Sequence, residues 1–217
     1  ANSTWLIGRD FEHDMSSALF REVRMANDAN CLAVAESVDG AGAGAKVVFA
    51  IILGTGCGGG IAIDRKVHAG PLSIAGEWGH TTLGWMSPEE YPGEECYCGK
   101  RGCVESVISG RALQTYYHKI SGKKLKFEEI YSKKDSDRYA KETLQRLITY
   151  FGKGLSNVVN IIDPEVIVLG GGLSNIDELY SDGYEELKKY VFNPTFNTPI
   201  LRPMLGDSAG VFGAALL

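Results

Sequence analysis

The sequence predicts an α/β fold whose strands aim their C-terminal ends at a ligand crevice. Three observations carry that prediction. Residues 46–53 (KVVFAIIL) and 165–169 (EVIVL) are continuous apolar runs rich in β-branched side chains, as in strands buried on both faces. Each run is followed at once by glycines, in residues 54–60 after the first and as Gly170, Gly171 and Gly172 after the second. Segments with helical spacing alternate with these strands.

Along the chain, residues 1–15 are mixed and polar, with a turn at Gly8, Arg9 and Asp10. Residues 16–23 have helical spacing, and 23–25 are a short strand leading into Asn27-Asp28-Ala29-Asn30. Residues 29–38 read as a helix that Asn27 or Asp28 is placed to cap. Residues 39–44 are a Gly/Ala linker and a candidate boundary. After the first strand and its glycines, residues 61–63, a turn at Asp64-Arg65 and Val67-His68 form a hairpin. Residues 70–103 are turn-rich. Helices are expected over 103–120 and 137–160, the second stopped by Pro164 before the other buried strand. Residues 175–190 are helical, 199–202 are a strand, and 209–217 begin a helix.

The 217 residues are 44% hydrophobic and 23% charged, enough to bury a core in one or two domains. The net charge, 22 − 27 = −5, argues against a broad nucleic-acid surface. Neither a membrane span nor a basic-then-apolar leader is visible, so a cytoplasmic protein is expected. Five cysteines without an export signal do not read as a disulfide framework.

Cys96, Cys98 and Cys103 instead crowd together downstream of His80, and Cys3His is a closed tetrahedral zinc set. A structural rather than Lewis-acid zinc follows, tying residues 70–103 into one shape. Cys31, Cys57, His13, His68 and His118 have no comparable company. The run Gly54-Thr55-Gly56-Cys57-Gly58-Gly59-Gly60 reads as a phosphate cradle of converging N–H groups, or else as a tight hairpin entry. It matches neither a Walker loop nor a GxGxxG fingerprint. The Gly170–Leu173 stretch divides evenly between a plain turn and a nucleotide contact. Asp28 is either an N-cap or a base that accepts a hydroxyl proton as a phosphoryl group arrives. Glu77, three residues before His80, and Glu105, two after Cys103, are solvated carboxylates unless the zinc site fixes them as acceptors for a polyol.

Taken together, these motifs resemble the ROK family of sugar kinases and repressors. The matching segments are Asn27-Asp28-Ala29-Asn30, the glycine run from Gly54, Gly76-Glu77-Trp78-Gly79-His80, Cys96-Tyr97-Cys98-Gly99-Lys100-Arg101-Gly102-Cys103-Val104-Glu105, the segment from Asp163 to Gly172, and Gly206-Asp207-Ser208-Ala209-Gly210. The fructokinase/mannokinase branch is the most similar. The resemblance implies the actin-like (ribonuclease H-like) sugar kinase fold, mostly its larger C-terminal domain with a structural zinc site. Residues 1–40 would be the tail of the small N-terminal domain with the catalytic Asp segment, and 41–217 the large domain with a zinc-binding insertion at 70–105. A front bearing an Asp-x-Gly-Gly-Thr phosphate loop would precede Ala1, and its loss would leave apolar surface near residues 1–40.

By the same resemblance Asp28 is the catalytic base. Asn27, Asp28, Glu77, His80 and Glu105 bind the sugar, with Thr4 approaching it, and His80 also ligates zinc with Cys96, Cys98 and Cys103. Gly54, Thr55, Gly56, Cys57, Gly58, Gly59 and Gly60 face the ATP phosphates, while Gly171, Gly172 and Leu173 lie near the adenosine. Mg2+ accompanies ATP, and a homodimer is expected. The implied reaction is phosphorylation of a hexose, fructose to fructose 6-phosphate first, with mannose and glucose as alternatives. Two other readings are a sugar-responsive repressor, whose DNA-binding domain would lie in the front, and a sugar-binding fragment without chemistry. An intact Asp28 and glycine run favour the enzyme.

Overall fold

The computed structural model describes Leu6, residues 8–206 and residues 209–217, so Thr4, Asp207 and Ser208 lie outside the described residues. Five strands form one mixed sheet: β1 (Val47–Leu53), β2 (Cys57–Ile63), β3 (Lys66–Val67), β4 (Val166–Gly170) and β5 (Ile200–Leu201). The spatial order is β3-β2-β1-β4-β5. β4 runs parallel to both β1 and β5, whereas β2 is antiparallel to β1 and β3. Both apolar runs become central strands, as their lack of polar residues requires.

The sheet is covered on both faces. Phe49, Ile51, Leu53, Ile167 and Leu169 point into the main core, where α6 (Arg138–Ile162) lays down Leu147, Phe151 and Leu155. These three are i, i+4 neighbours on one helix face and fully buried. Each such side chain contributes about 1.5–3 kcal/mol. Val48, Ala50, Ala62 and Val168 point the other way, onto Leu32, Ala33 and Ala35 of α2 (Asp28–Val38) and Ala209 of α8 (Ala209–Ala215). Small residues let α2 lie between sheet and α8: a Cβ at Gly213 of α8 would collide with the Cys31 carbonyl.

The turn-rich residues after α2, expected as a boundary, do not separate two bodies, because α2 shares a core with the strands that follow it. Buried Glu36 makes a further tie. Its carboxylate accepts from the N–H groups of Ala41 (2.7 Å), Met204 (3.1 Å) and Leu205 (3.0 Å).

Several bounds differ from expectation for local reasons. α1 (Phe11–Leu19) starts ahead of the expected 16–23 helix because Asp10 caps it, accepting from the His13 N–H at 3.0 Å. Residues 23–25 are extended chain rather than strand, held by Val23 N–H to Ser16 Oγ and Met25 N–H to Glu12, both 3.0 Å. None of α1 is buried, and Phe20 after it is 96% exposed. The helix expected over 103–120 breaks into α3 (Glu105–Ile108) and α4 (Gly110–Ser121). Ser109 turns extended there and caps α4, while the Gly110 N–H donates to the Gly54 carbonyl at 2.7 Å. α5 (Phe127–Ser132) follows, and the helix expected at 175–190 is one 3₁₀ turn (Asp177–Leu179) and α7 (Asp182–Lys188). Among the described residues no helix is long and apolar enough to cross a membrane.

Candidate functional site

β2 is the spine of the site, and its glycines explain how. The seven-residue loop expected over Gly54–Gly60 is a turn of three, Gly54, Thr55 and Gly56; Cys57, Gly58, Gly59 and Gly60 belong to the strand. Alternation sends their missing side chains to opposite faces. A Cβ at Gly60 would strike the Ala29 carbonyl, at the start of α2, and one at Gly58 would touch the Ala29 side chain. A Cβ at Gly59 would lie 2.7 Å from the Gly76 carbonyl oxygen, and Gly79 abuts the Cys57 carbonyl. Gly59, Gly60 and Gly79 therefore admit backbone, with α2 on one side of the strand and the Gly76–His80 segment on the other. Trp78 locks that second side, buried against Phe49 and donating through its indole N–H to the Gly58 carbonyl at 2.9 Å.

In the remaining turn, the Gly54 N–H donates to the Gly56 carbonyl at 3.0 Å. The N–H groups of Thr55 and Gly56 have no acceptor among the described residues, whereas the Cys57 N–H donates to Glu105 Oε2 at 2.7 Å. Cys57 is thus committed to Glu105, and Thr55 and Gly56 are the donors left to meet an anion. The second glycine turn comes up beside the first: a Cβ at Gly54 would lie 3.6 Å from the Gly172 nitrogen. Gly171 has φ +85° and a Cβ there would lie 2.5 Å from the Leu53 carbonyl oxygen, so both conformation and space call for glycine. Leu173, expected beside a nucleotide, points instead into the main core and is 6% exposed, because the chain has already turned inward into a 3₁₀ helix.

Gly171 and Gly172 line a cavity of about 500 Å3 whose other walls include Asp28, Leu32, Arg202 and Gly210. Asn27 caps α2, its Oδ1 accepting from the Ala29 N–H at 2.8 Å. Asp28 Oδ1 shares that N–H at 2.9 Å, and its second oxygen has no partner among the described residues. Arg202, which sequence inspection did not single out, fixes this wall by donating to the Ser174 carbonyl at 2.8 Å while lying over the Tyr180 ring. Glu36, also passed over, holds the 204–205 segment of the same wall. Neither has a neighbouring motif that would have flagged it.

The structure brings His80, Cys96, Cys98 and Cys103 together, their ligand atoms all within 4.8 Å of one another, an arrangement able to hold a metal ion. Short pairings set it up. Thr82 bridges Cys103, Glu95 bridges Arg101, and the Cys96 N–H donates to the Lys100 carbonyl at 2.9 Å. Gly99 and Gly102 turn the chain at φ +85° and +71°. Burial pushes the Cys103 thiol up to about 12, while the Lys100 N–H pulls the Cys98 thiol down. Each must reach the thiolate to ligate.

Glu77 and Glu105 converge from the two ends of this segment. Burial, then Glu105, then Glu77 raise the buried Cys57 thiol well above its ordinary range. His80 presents Nδ1 to Cys96 Sγ at 3.5 Å, and its Nε2 meets the Tyr97 hydroxyl at 2.9 Å. Thus Glu77, His80 and Glu105 form one group on the main-core side of β2, and Asn27 and Asp28 another at the start of α2, with the glycine strand between them.

The family model described as "ROK family" matches residues 1–217. The N-acetyl-D-glucosamine kinase of Mannheimia succiniciproducens is 38% identical over 210 residues, spanning 94% of this chain and 69% of that protein. The enzyme of the same name from Vibrio cholerae is 36% identical over 215 residues, 97% of this chain and 71% of its own. Among solved structures, the ROK hexokinase from Thermus thermophilus superposes with a TM-score of 0.84 at 32% identity, covering 94% of this chain and 67% of that one. A ROK family glucokinase from Streptomyces griseus, in complex with glucose and AMPPNP, gives 0.79 at 29% identity over 94% and 70%. The mixed sheet between two helical layers is the ROK sugar kinase fold, and the chain belongs to the ROK family.

Proposed function

We propose that the chain supplies the catalytic base, sugar-binding groups and nucleotide-facing turns of an ATP-dependent kinase acting on a hexose or N-acetylhexosamine. One observation carries the reading: the two glycine turns touch, and Asp28 opens onto the cavity that the second of them lines, with one carboxylate oxygen free. Asp28 accepts the proton of the sugar hydroxyl as it attacks the terminal phosphoryl group, and the ADP oxygen leaves. Thr55 and Gly56 offer N–H groups to phosphate oxygens, so that charge is stabilised by groups already in place. Gly171 and Gly172 leave room for the adenosine. Mg2+ arriving with ATP neutralises phosphate charge, and Asp28 is the carboxylate lining that cavity.

Asn27, Glu77, His80 and Glu105 orient the sugar by hydrogen bonding to its hydroxyls. Zn2+ fits the four-residue cluster: two sulfurs about 2.3 Å from a tetrahedral ion stand about 3.8 Å apart, and Cys98 Sγ and Cys103 Sγ are 3.6 Å apart. With four protein ligands that ion has no open position and is structural. The relatives described above are named as N-acetyl-D-glucosamine kinases, a hexokinase and a glucokinase, so fructose is one arm of the test rather than the leading substrate.

The test is sugar-dependent ADP release by the protein carrying this chain, with Zn2+ and Mg2+–ATP, over N-acetylglucosamine, glucose, mannose and fructose. Turnover is expected with at least one. Asp28→Asn should lower it by about 10²–10⁴-fold with the melting temperature unchanged, since Asn27 keeps the helix cap. Absence of ADP release with every sugar would sink the proposal.

A further inference from the structure

The Gly54–Gly56 turn is held mainly from outside. Its one internal bond runs from the Gly54 N–H to the Gly56 carbonyl at 3.0 Å. The residues that open and follow α3 grip its two ends. Glu105, the first residue of α3, accepts the Cys57 N–H on Oε2 at 2.7 Å. Gly110, just past the end of α3, donates its N–H to the Gly54 carbonyl at 2.7 Å.

α3 gives both bonds a fixed base. Val104, Val107 and Ile108 are buried in the main core. The Val104 N–H donates to the Thr81 carbonyl at 3.1 Å, and the Ser106 hydroxyl to the Cys103 carbonyl at 2.6 Å. The directions of the Thr55 and Gly56 N–H groups are therefore set by a helix that starts two residues after Cys103.

Glu105 has a second oxygen to use. Its Oε1 has no hydrogen-bond partner among the described residues, and the residue lines a cavity of about 340 Å3 that Thr55 and Gly56 line as well. No cation of that cavity takes the carboxylate. Arg146 is stacked between the rings of Tyr116 at 4.4 Å and Tyr150 at 4.6 Å, its Nε shielded and without a partner. One carboxylate thus holds the turn with one oxygen and leaves the other for the site. The two oxygens share a rigid plane, so whatever orients Oε1 also orients Oε2.

We propose, resting on the kinase reading above, that Glu105 is a positioning residue for the nucleotide turn as well as a sugar ligand. A sugar hydroxyl donating to Oε1 pins the carboxylate in the orientation that holds the Cys57 N–H, and the Thr55–Gly56 turn is already shaped when phosphate arrives. Sugar and nucleotide then strengthen each other's binding by the same factor, whichever comes first. Gly56 shows how close the link is: a Cβ there would lie 2.9 Å from Glu105 Oε2 and would push the carboxylate aside.

The test is calorimetric titration of the protein carrying this chain with Mg2+ and the β,γ-imido analogue of ATP, with and without saturating sugar. N-acetylglucosamine, glucose, mannose and fructose are the sugar probes. The sugar that binds tightest should strengthen nucleotide binding at least about fivefold. Glu105→Asp keeps the negative charge beside the phosphates but is one methylene too short to serve both partners. It should weaken nucleotide binding in the absence of sugar about tenfold, as for one charge-assisted hydrogen bond, and sugar should no longer strengthen it. A residue that only touched the sugar would leave that sugar-free affinity unmoved. Gly56→Ala is the reciprocal variant: it lies on the nucleotide side, yet it should weaken sugar binding several-fold in the absence of nucleotide. Nucleotide affinity that ignores sugar in the unsubstituted protein would overturn the proposal, and so would coupling that survives both substitutions. In those two cases each ligand still binds and the kinase reading stands, whereas a protein that binds neither ligand would overturn both.

Discussion

Helix α2 and the segment 70–104 approach β2 from opposite faces, and different forces hold them there. α2 is packed: residues 29 to 37 are all buried, between the sheet and α8. In the 70–104 segment the buried side chains are few, chiefly Trp78, Leu83, Cys103 and Val104. Its shape rests on short turns, and four of its side chains are placed to hold a metal ion. One half of the candidate site is thus built as core and the other as a clasp, and the two should respond differently to the same insult.

The largest difference should come from metal removal. Structural zinc supplies about 10–16 kcal/mol in small zinc domains, so stripping the proposed Zn2+, or Cys103→Ser, should abolish hydrogen-exchange protection across 76–104. The amides of α2, β1 and β4 should stay protected, and equal loss in both regions would break the contrast. Gly60→Ala tests the other half. Its Cβ meets backbone at Ala29 rather than a side chain that can swing away, so a loss of about 1–3 kcal/mol is expected in urea unfolding. A neutral result would mean that α2 can shift freely on the strand.

Glu36→Gln removes the charge that holds the end of α2 to residues 204–205, and one amide face would oppose N–H donors. About 1–3 kcal/mol should be lost, together with a higher KM for ATP and an unchanged KM for sugar. A rise in sugar KM instead would show that the two walls are not independent. The smallest effect belongs to Tyr97→Phe, which frees His80 Nε2 from a bond of about 1 kcal/mol. Sugar KM should fall several-fold, because the phenol hydroxyl occupies the nitrogen a sugar would use; a rise would make Tyr97 itself a sugar contact.

Much of this was legible in the amino-acid order. The strands at β1 and β4 lack polar residues, α6 repeats its apolar positions over many turns, and the spacing of His80, Cys96, Cys98 and Cys103 announces a ligand set. The glycines were harder. A missing side chain records that something comes close, without saying whether it is a phosphate or a neighbouring backbone, and at Gly59 and Gly60 it is backbone. Leu173 escaped for a related reason: the direction of one residue after a turn is decided by tertiary contacts. Glu36 and Arg146 are ordinary helix residues in sequence, and only the chain segments packed over them make their carboxylate and guanidinium unusual.

The bare stretch of β2 also works as a spacer. Where side chains separate two elements, rotamer changes can absorb a displacement of an ångström. Between Ala29 and Gly76 there is only the thickness of one polypeptide, with carbonyls in contact on either side. Asp28 and Glu77 are therefore held apart by covalent dimensions rather than by packing, a gauge block that thermal motion cannot compress. Under the proposed reading, a sugar gripped by one wall would reach the base on the other at a distance set when the chain folds.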